Sequence, residues 1–76
     1  MGLLNEESCR VLFGEYVKNG RKARKMNQTE LADKLGITQP YISFIERGER
    51  EIDLVLAFKI CDVLQLDIRD FITKHL

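Results

Sequence analysis

Between Gln39 and Arg47 the chain offers an amide, two hydroxyls and a guanidinium at helical spacing. On a helix, at about 100° per residue, Ile42, Ile45, Glu46 and Thr38 fall on one side. Pro40, Ser43, Phe44 and Arg47 fall on the other, with Gln39 and Tyr41 at opposite edges. A surface helix normally fills its outer face with charge. This one carries an amide, a hydroxyl and aromatic rings, closed by a single arginine. Such groups suit base edges in a major groove: Gln pairs bidentately with adenine, Ser donates or accepts, and apolar groups meet the thymine methyl. A plainer role is open to the rings, in which Tyr41 and Phe44 pack on a neighbouring helix or Phe44 sits in a protein interface.

The other reactive side chains are Cys9, Cys61 and His75. No C-x-x-C or H-x-x-x-H spacing is present, so no metal and no cofactor is expected. Two isolated cysteines within apolar stretches read as small buried hydrophobes of a reducing compartment. The chain shows no paired carboxylates, no triad and no phosphate-cradling Gly-rich loop, so an enzyme is not expected.

The elements that must hold the Gln39–Arg47 segment follow from apolar spacing and caps. Cys9, Leu12, Phe13, Tyr16 and Val17 recur at three-four spacing, predicting a first helix from about Glu6 to Lys25. Asn19-Gly20 interrupts it with a turn signal, but Arg21 and Arg24 continue the stripe with packable stems. Asn27-Gln28-Thr29-Glu30 fits a capping box for a second helix, which Gly36 closes after Leu35. Thr38 can cap a third helix, Pro40 is tolerated in its first turn, and Gly48 ends it. Asp53 caps a fourth, with Leu56, Ala57, Ile60, Cys61 and Leu64 as its stripe, and Asp67 caps a fifth. Strand patterns of period two are absent, so the expected fold is all-α: five short helices in one domain over residues 1–76. Two short helices around a Gly-containing turn form a helix-turn-helix over about residues 28–47. Ala32 is small enough for close approach, and Leu31, Leu35, Ile37, Ile42 and Ile45 face the bundle.

The run Q-x-E-L-A at Gln28–Ala32, followed by G-I-x-Q-x-x-I-S-x-I-E-x-G at Gly36–Gly48, resembles the Cro/CI (lambda-repressor-like, XRE) helix-turn-helix family. The resemblance extends from about Phe13 to Phe71. It implies a five-helix domain that binds operator DNA as a dimer. It implies that Gln39, Pro40, Ser43 and Phe44 read bases, and that Gln28 touches the DNA backbone and braces Gln39. Thr38, Tyr41 and Arg47 would lie near phosphates, with Arg50 and Lys25 joining them. Arg21 and Glu46 would form a buried ion pair between the first helix and the end of the third. The helix wheel agrees, since it puts Glu46 inside and Arg21 on the inner stripe. Two positions depart from the family. Lys25 stands where Gly is usual, so the first helix ends differently or Lys25 is left-handed. Pro40 and Phe44 cannot donate side-chain hydrogen bonds, which moves specificity toward Gln39, Ser43, methyl contacts and DNA shape.

With 76 residues the chain is long enough for one domain and a small core. No apolar run approaches the ~20 residues of a membrane span. The start lacks a basic n-region and a long apolar stretch, and Glu6 stands where an N-myristoylation signal needs Ser or Thr, so a cytoplasmic location is expected. Lys and Arg number 12 against 12 Asp and Glu. That neutrality hides a gradient: residues 18–34 carry +4, while residues 1–17 and 51–76 carry −2 each. DNA feels the nearby basic patch more than the total, because screening acts over ~8 Å. Modest non-specific affinity is therefore expected. Val55, Phe58, Val63, Leu66, Ile68, Phe71, Ile72 and Leu76 exceed what one stripe per short helix needs. Helices over residues 53–76 are therefore expected to complete the core and to offer a dimer interface at Leu66, Ile68, Phe71, Ile72 and Leu76.

The reading is a sequence-specific transcriptional regulator, a repressor acting as a homodimer on a palindromic operator in double-stranded DNA. With no sensor domain in the chain, its level or a partner would set its activity. Phage repressor, restriction–modification controller and antitoxin with a toxin partner all remain open, and Glu46–Leu54 looks somewhat like controller proteins. The different class is a protein-interaction module that keeps the fold without reading DNA, favoured by Pro40 and Phe44 outside with Glu49 and Glu51 close behind.

Overall fold

In the computed structural model, which describes residues 5–75, the chain forms five helices and no strand among the described residues: α1 (Glu6–Ala23), α2 (Gln28–Leu35), α3 (Gln39–Glu46), α4 (Leu54–Leu64) and α5 (Ile68–His75). Leu76, expected in the dimer face, lies outside the described residues. Every helix start is an identifiable cap. Asn5 opens α1 with a capping box, its Oδ1 accepting the Ser8 amide at 2.8 Å while Ser8 Oγ accepts the Asn5 amide at 3.0 Å. Asn27 and Glu30 form the expected box at α2, with distances of 2.8 and 2.9 Å. Thr38 caps α3, and Pro40 sits in its first turn. Asp53 takes the Leu56 amide at 2.7 Å, and Asp67 takes the Arg69 amide at 2.9 Å to open α5.

The first helix stops two residues earlier than expected. Arg24 caps it and Lys25 adopts φ +55°, with the Met26 amide reaching back to the Arg21 carbonyl and the Lys25 amide to that of Lys22. This is the Schellman closure, which needs a left-handed residue after the cap. Lys25 adopts it against the cost of its Cβ. The chain turns there so that Arg21 and the start of α2 can meet. Arg24, expected to pack by its stem, is exposed and reaches only the Gln65 carbonyl at 3.4 Å. Thr38, expected on the inner side, is exposed too, because a cap residue stands outside the helix it starts.

The core draws on all five helices: Phe13 and Val17, Leu31 and Ala32, Ile42 and Ile45, Ile60, Cys61 and Leu64, and Phe71. Its tightest seam lies between α1 and α3. A Cβ on Gly14 would stand 2.3 Å from the Ile45 carbonyl oxygen and 2.9 Å from that of Glu46. Gly14 therefore lets the end of α3 lie directly on α1. Gly48, at φ +72°, turns the chain away where a Cβ would meet the Val11 backbone at 2.8 Å.

Part of the expected dimer face is spent inside the protomer. Phe71 is only 5% exposed, its ring edge-on to Phe13 with centroids 5.4 Å apart. Leu66 folds over Gly20, and Ile68 is half-buried against the core. Those side chains close a small core that four helices leave open below. What faces solvent is Leu54, Val55 and Phe58 on α4 and Ile72 on α5.

Candidate nucleic-acid interface

The site begins in the interior. Arg21 Nε donates to Glu46 Oε2 at 2.7 Å and Nη2 to Oε1 at 2.9 Å, a bidentate pair whose side chains are 10% and 2% exposed. The third guanidinium direction is used as well, Nη1 donating to the Met26 carbonyl at 2.9 Å. The hydrogen bonds to Glu46 push the Arg21 pKa above its ordinary value, outweighing the desolvation that would lower it. The pair ties α1 to the C-terminal end of α3.

From Glu46 a relay runs outward. Gln28 Nε2 donates to Glu46 Oε1 at 3.0 Å, and Gln39 Nε2 donates to Gln28 Oε1 at 2.7 Å. The polarity of this chain is set by chemistry. A carboxylate only accepts, so Gln28 must turn its amino group inward and its carbonyl toward Gln39. Gln39 must then answer with its amino group, leaving its carbonyl oxygen and one N–H facing out. That outward edge complements the N7 acceptor and N6 donor of adenine. A charge buried in the core thus orients an exposed amide at the start of α3.

The remaining outer face of α3 follows the wheel. Pro40 is exposed, Ser43 half-buried, and Phe44 38% exposed. Tyr41 is half-buried and its ring packs against the core. The segment after α3 folds two arginines back onto these rings. The Arg47 guanidinium lies 5.0 Å from the Phe44 centroid and that of Arg50 lies 4.9 Å from the Tyr41 centroid. Arg47 also donates to Ser43 Oγ and pairs with Glu49 at 3.3 Å. Lys18, Lys22, Arg24 and Lys25 stand exposed along the second half of α1 and its turn.

Among the described residues no cluster of His, Cys, Asp and Glu could hold a metal. Cys61 is buried and its thiol is pushed up by desolvation, so it is held in the neutral form. The His75 ring packs on Phe71.

A profile of the helix-turn-helix family matches residues 17–71. The chain belongs to this family of DNA-binding transcriptional regulators. As a helix-turn-helix protein it is 38% identical over 63 residues to the "Uncharacterized HTH-type transcriptional regulator YqaE" of Bacillus subtilis, covering 83% of this chain and 53% of that protein. It therefore spans about half the length of that relative. It is 37% identical over 70 residues to the "Control protein C.BamHI" of Bacillus amyloliquefaciens, covering 87% of this chain and 86% of the control protein. The restriction-modification controller protein C.AhdI from Aeromonas hydrophila has a similar structure, with a TM-score of 0.76 and 30% identity over 83% of this chain and 96% of its own. The family consists of regulators and not of enzymes.

Two contributors to this helix-turn-helix escape a reading of residue types. Gly14 has no motif to announce it, although its place on the inner stripe beside Phe13 and Val17 was a usable signal. Glu49 looks like a solvated acid in the sequence, and only the turn at Gly48 brings it back to Arg47.

Proposed function

We propose that the chain is a sequence-specific transcriptional repressor that reads a palindromic operator as a homodimer, with Gln39, Pro40, Ser43 and Phe44 toward the bases. The observation that carries this reading is the relay from the buried Arg21–Glu46 pair through Gln28 to Gln39. A solvated surface amide needs no such anchoring. One held in a single polarity is prepared for a bidentate partner. Gln28, Thr38, Tyr41, Arg47, Arg50 and Lys25 serve the sugar-phosphate backbone around it. Glu49 and Glu51, which could have signalled a protein-interaction face, each meet an arginine, at 3.3 Å from Arg47 and 3.9 Å from Arg10.

The second copy docks through Val55 and Phe58, 62% and 52% exposed, together with Leu54 and Ile72. Ile68 and Leu66 lie at its edges, and such a pairing would set two α3 helices on half-sites about 34 Å apart. Similarity to C.BamHI and C.AhdI favours control of a restriction–modification locus as the setting. Among the described residues no helix is long and apolar enough to cross a membrane.

The test is a selection from random duplex DNA followed by footprinting of the enriched site. An inverted repeat bound by the wild type, with Gln39→Ala losing about 1–3 kcal/mol of discrimination at one base pair per half-site, is the expected result. Equal loss on selected and random DNA would remove Gln39 from base reading.

A further inference from the structure

We propose that Phe44, backed by Pro40, reads the 5-methyl group of a pyrimidine in the major groove, so that 5-methylcytosine can stand in for thymine at the base it faces. The proposal rests on the DNA-reading function above and names the chemical feature that this part of α3 selects. Phe44 is 38% exposed and takes no part in the core. The other exposed large apolar side chains among the described residues are Val11 on α1, Leu54, Val55 and Phe58 on α4, and Ile72 on α5. Phe44 is thus the one that the helix-turn-helix itself presents, and the side chains offered to a second copy lie on other elements. Pro40, also exposed, stands one turn before it on the same face. Arg47 stands about one turn after it, with its guanidinium over the ring at 5.0 Å from the centroid. The cation takes one face of the ring, and what is left open is hydrocarbon.

Such a surface can gain little from most base edges. The Phe44 ring has no hydrogen-bonding group, and Pro40 has none in its side chain and no backbone N–H. Guanine and adenine show polar atoms at N7 and at O6 or N6, thymine shows O4 and cytosine N4. Each would lose water against hydrocarbon without gaining a partner. The 5-methyl of thymine is the exception, because it leaves water for an apolar contact. Cytosine carries its C5 at the same place on the ring, with hydrogen where thymine has the methyl. Methylation there supplies the same contact, and neither Phe44 nor Pro40 holds a group that could tell the neighbouring N4 from O4. The face therefore divides its work. Gln39, bonded to Gln28 at 2.7 Å, offers hydrogen bonds, and the two apolar residues beyond it offer only contact.

The experiment starts from the site enriched by the full chain from random duplex DNA. Each thymine of that site is replaced in turn by deoxyuridine, by cytosine and by 5-methylcytosine, the last two paired with guanine, and affinity is measured by fluorescence anisotropy. At one or two thymines per half-site, loss of the methyl to deoxyuridine is expected to weaken binding about three- to fivefold, the worth of one buried methyl. At the same positions 5-methylcytosine should bind more tightly than cytosine by a similar factor. In Phe44→Ala both ratios should fall to one at one of these positions at least, and in Phe44→Leu they should largely persist. Each ratio is taken within one protein, so a general loss of affinity does not enter it, and circular dichroism confirms that each variant keeps its helices. Three results would overturn the proposal: no thymine sensitive to its methyl, ratios unmoved in Phe44→Ala, or 5-methylcytosine no better than cytosine where Phe44 acts. Failure of the wild type to enrich any sequence would instead overturn the DNA-reading function beneath it.

Discussion

Removing the Glu46 carboxylate leaves Arg21 buried without a counter-charge and Gln28 without its acceptor, so two consequences are tied together. Glu46→Ala is expected to cost about 3–5 kcal/mol of stability, the range for breaking a buried pair from one side. Urea unfolding checks it, and a midpoint within experimental error of the parent would mean that the pair is not buried in solution. Lys25 separates two effects that usually travel together. Its φ of +55° carries the left-handed cost of an L-residue, and Gly carries none. Lys25→Gly should gain about 0.5–1 kcal/mol of stability while flattening the salt dependence of DNA binding by about one phosphate contact. A variant that is neither more stable nor less salt-sensitive would contradict both halves. The Arg21–Glu46 pairing was legible from the family resemblance and the helix wheel together, and the Gln28–Gln39 brace from the resemblance alone. The Arg47–Ser43 contact spans one helical turn, a spacing of the same kind, and only Glu49 depends on the turn at Gly48 to reach that guanidinium.

At the scale of elements, the caps were the most legible feature and the helix ends the least. Asn27, Thr38 and Asp53 each accept an amide three residues on, as their positions before apolar stripes required. The end of α1 is a competition between continuing the helix and bringing Arg21 to Met26 and Glu46, and tertiary contact wins it two residues early. The seam between α1 and α3 is where a small change should matter most. A methyl at Gly14 meets backbone oxygens that no side-chain rotation can clear, so Gly14→Ala should lose about 2 kcal/mol or more through overpacking. Thermal unfolding measures it. An unchanged melting temperature would show that α3 can shift on α1 to admit the methyl group. Gly20 gives the contrasting control, since its neighbour is the flexible end of Leu66.

For the whole molecule, the buried groups set an alkaline limit on stability. Burial raises the Cys61 thiol above its ordinary value of 9.0. Burial, with Cys61 and the Asp70 and Asp67 carboxylates nearby, raises the Tyr16 hydroxyl above 10.0. For both acids the unfolded chain loses its proton first. Their contribution is therefore complete below those values and declines as pH rises from about 9 and again from about 10. Urea midpoints between pH 7 and 11 should fall accordingly, and Cys61→Ala should flatten the first part of the fall. An equal decline in that variant would clear the thiol of responsibility. Assembly is tested by Phe58→Glu, which puts a charge on an exposed position outside the core. It should leave the helical content intact and yield a monomer in sedimentation at concentrations where the parent is a dimer. A parent that sediments as a monomer with and without DNA would remove the α4 face from the proposal. Local chemistry was enough to establish five helices, their caps, the helix-turn-helix and the outward face of α3, because apolar period and capping act within a few residues. Which apolar residues remain outside was settled only in three dimensions. Phe71 and Phe58 are the same residue type on neighbouring helices, yet one closes the core against Phe13 and the other faces solvent. That difference depends on how α5 packs beneath α1 and α4, since burial is a property of surfaces that meet and not of the residues that carry them.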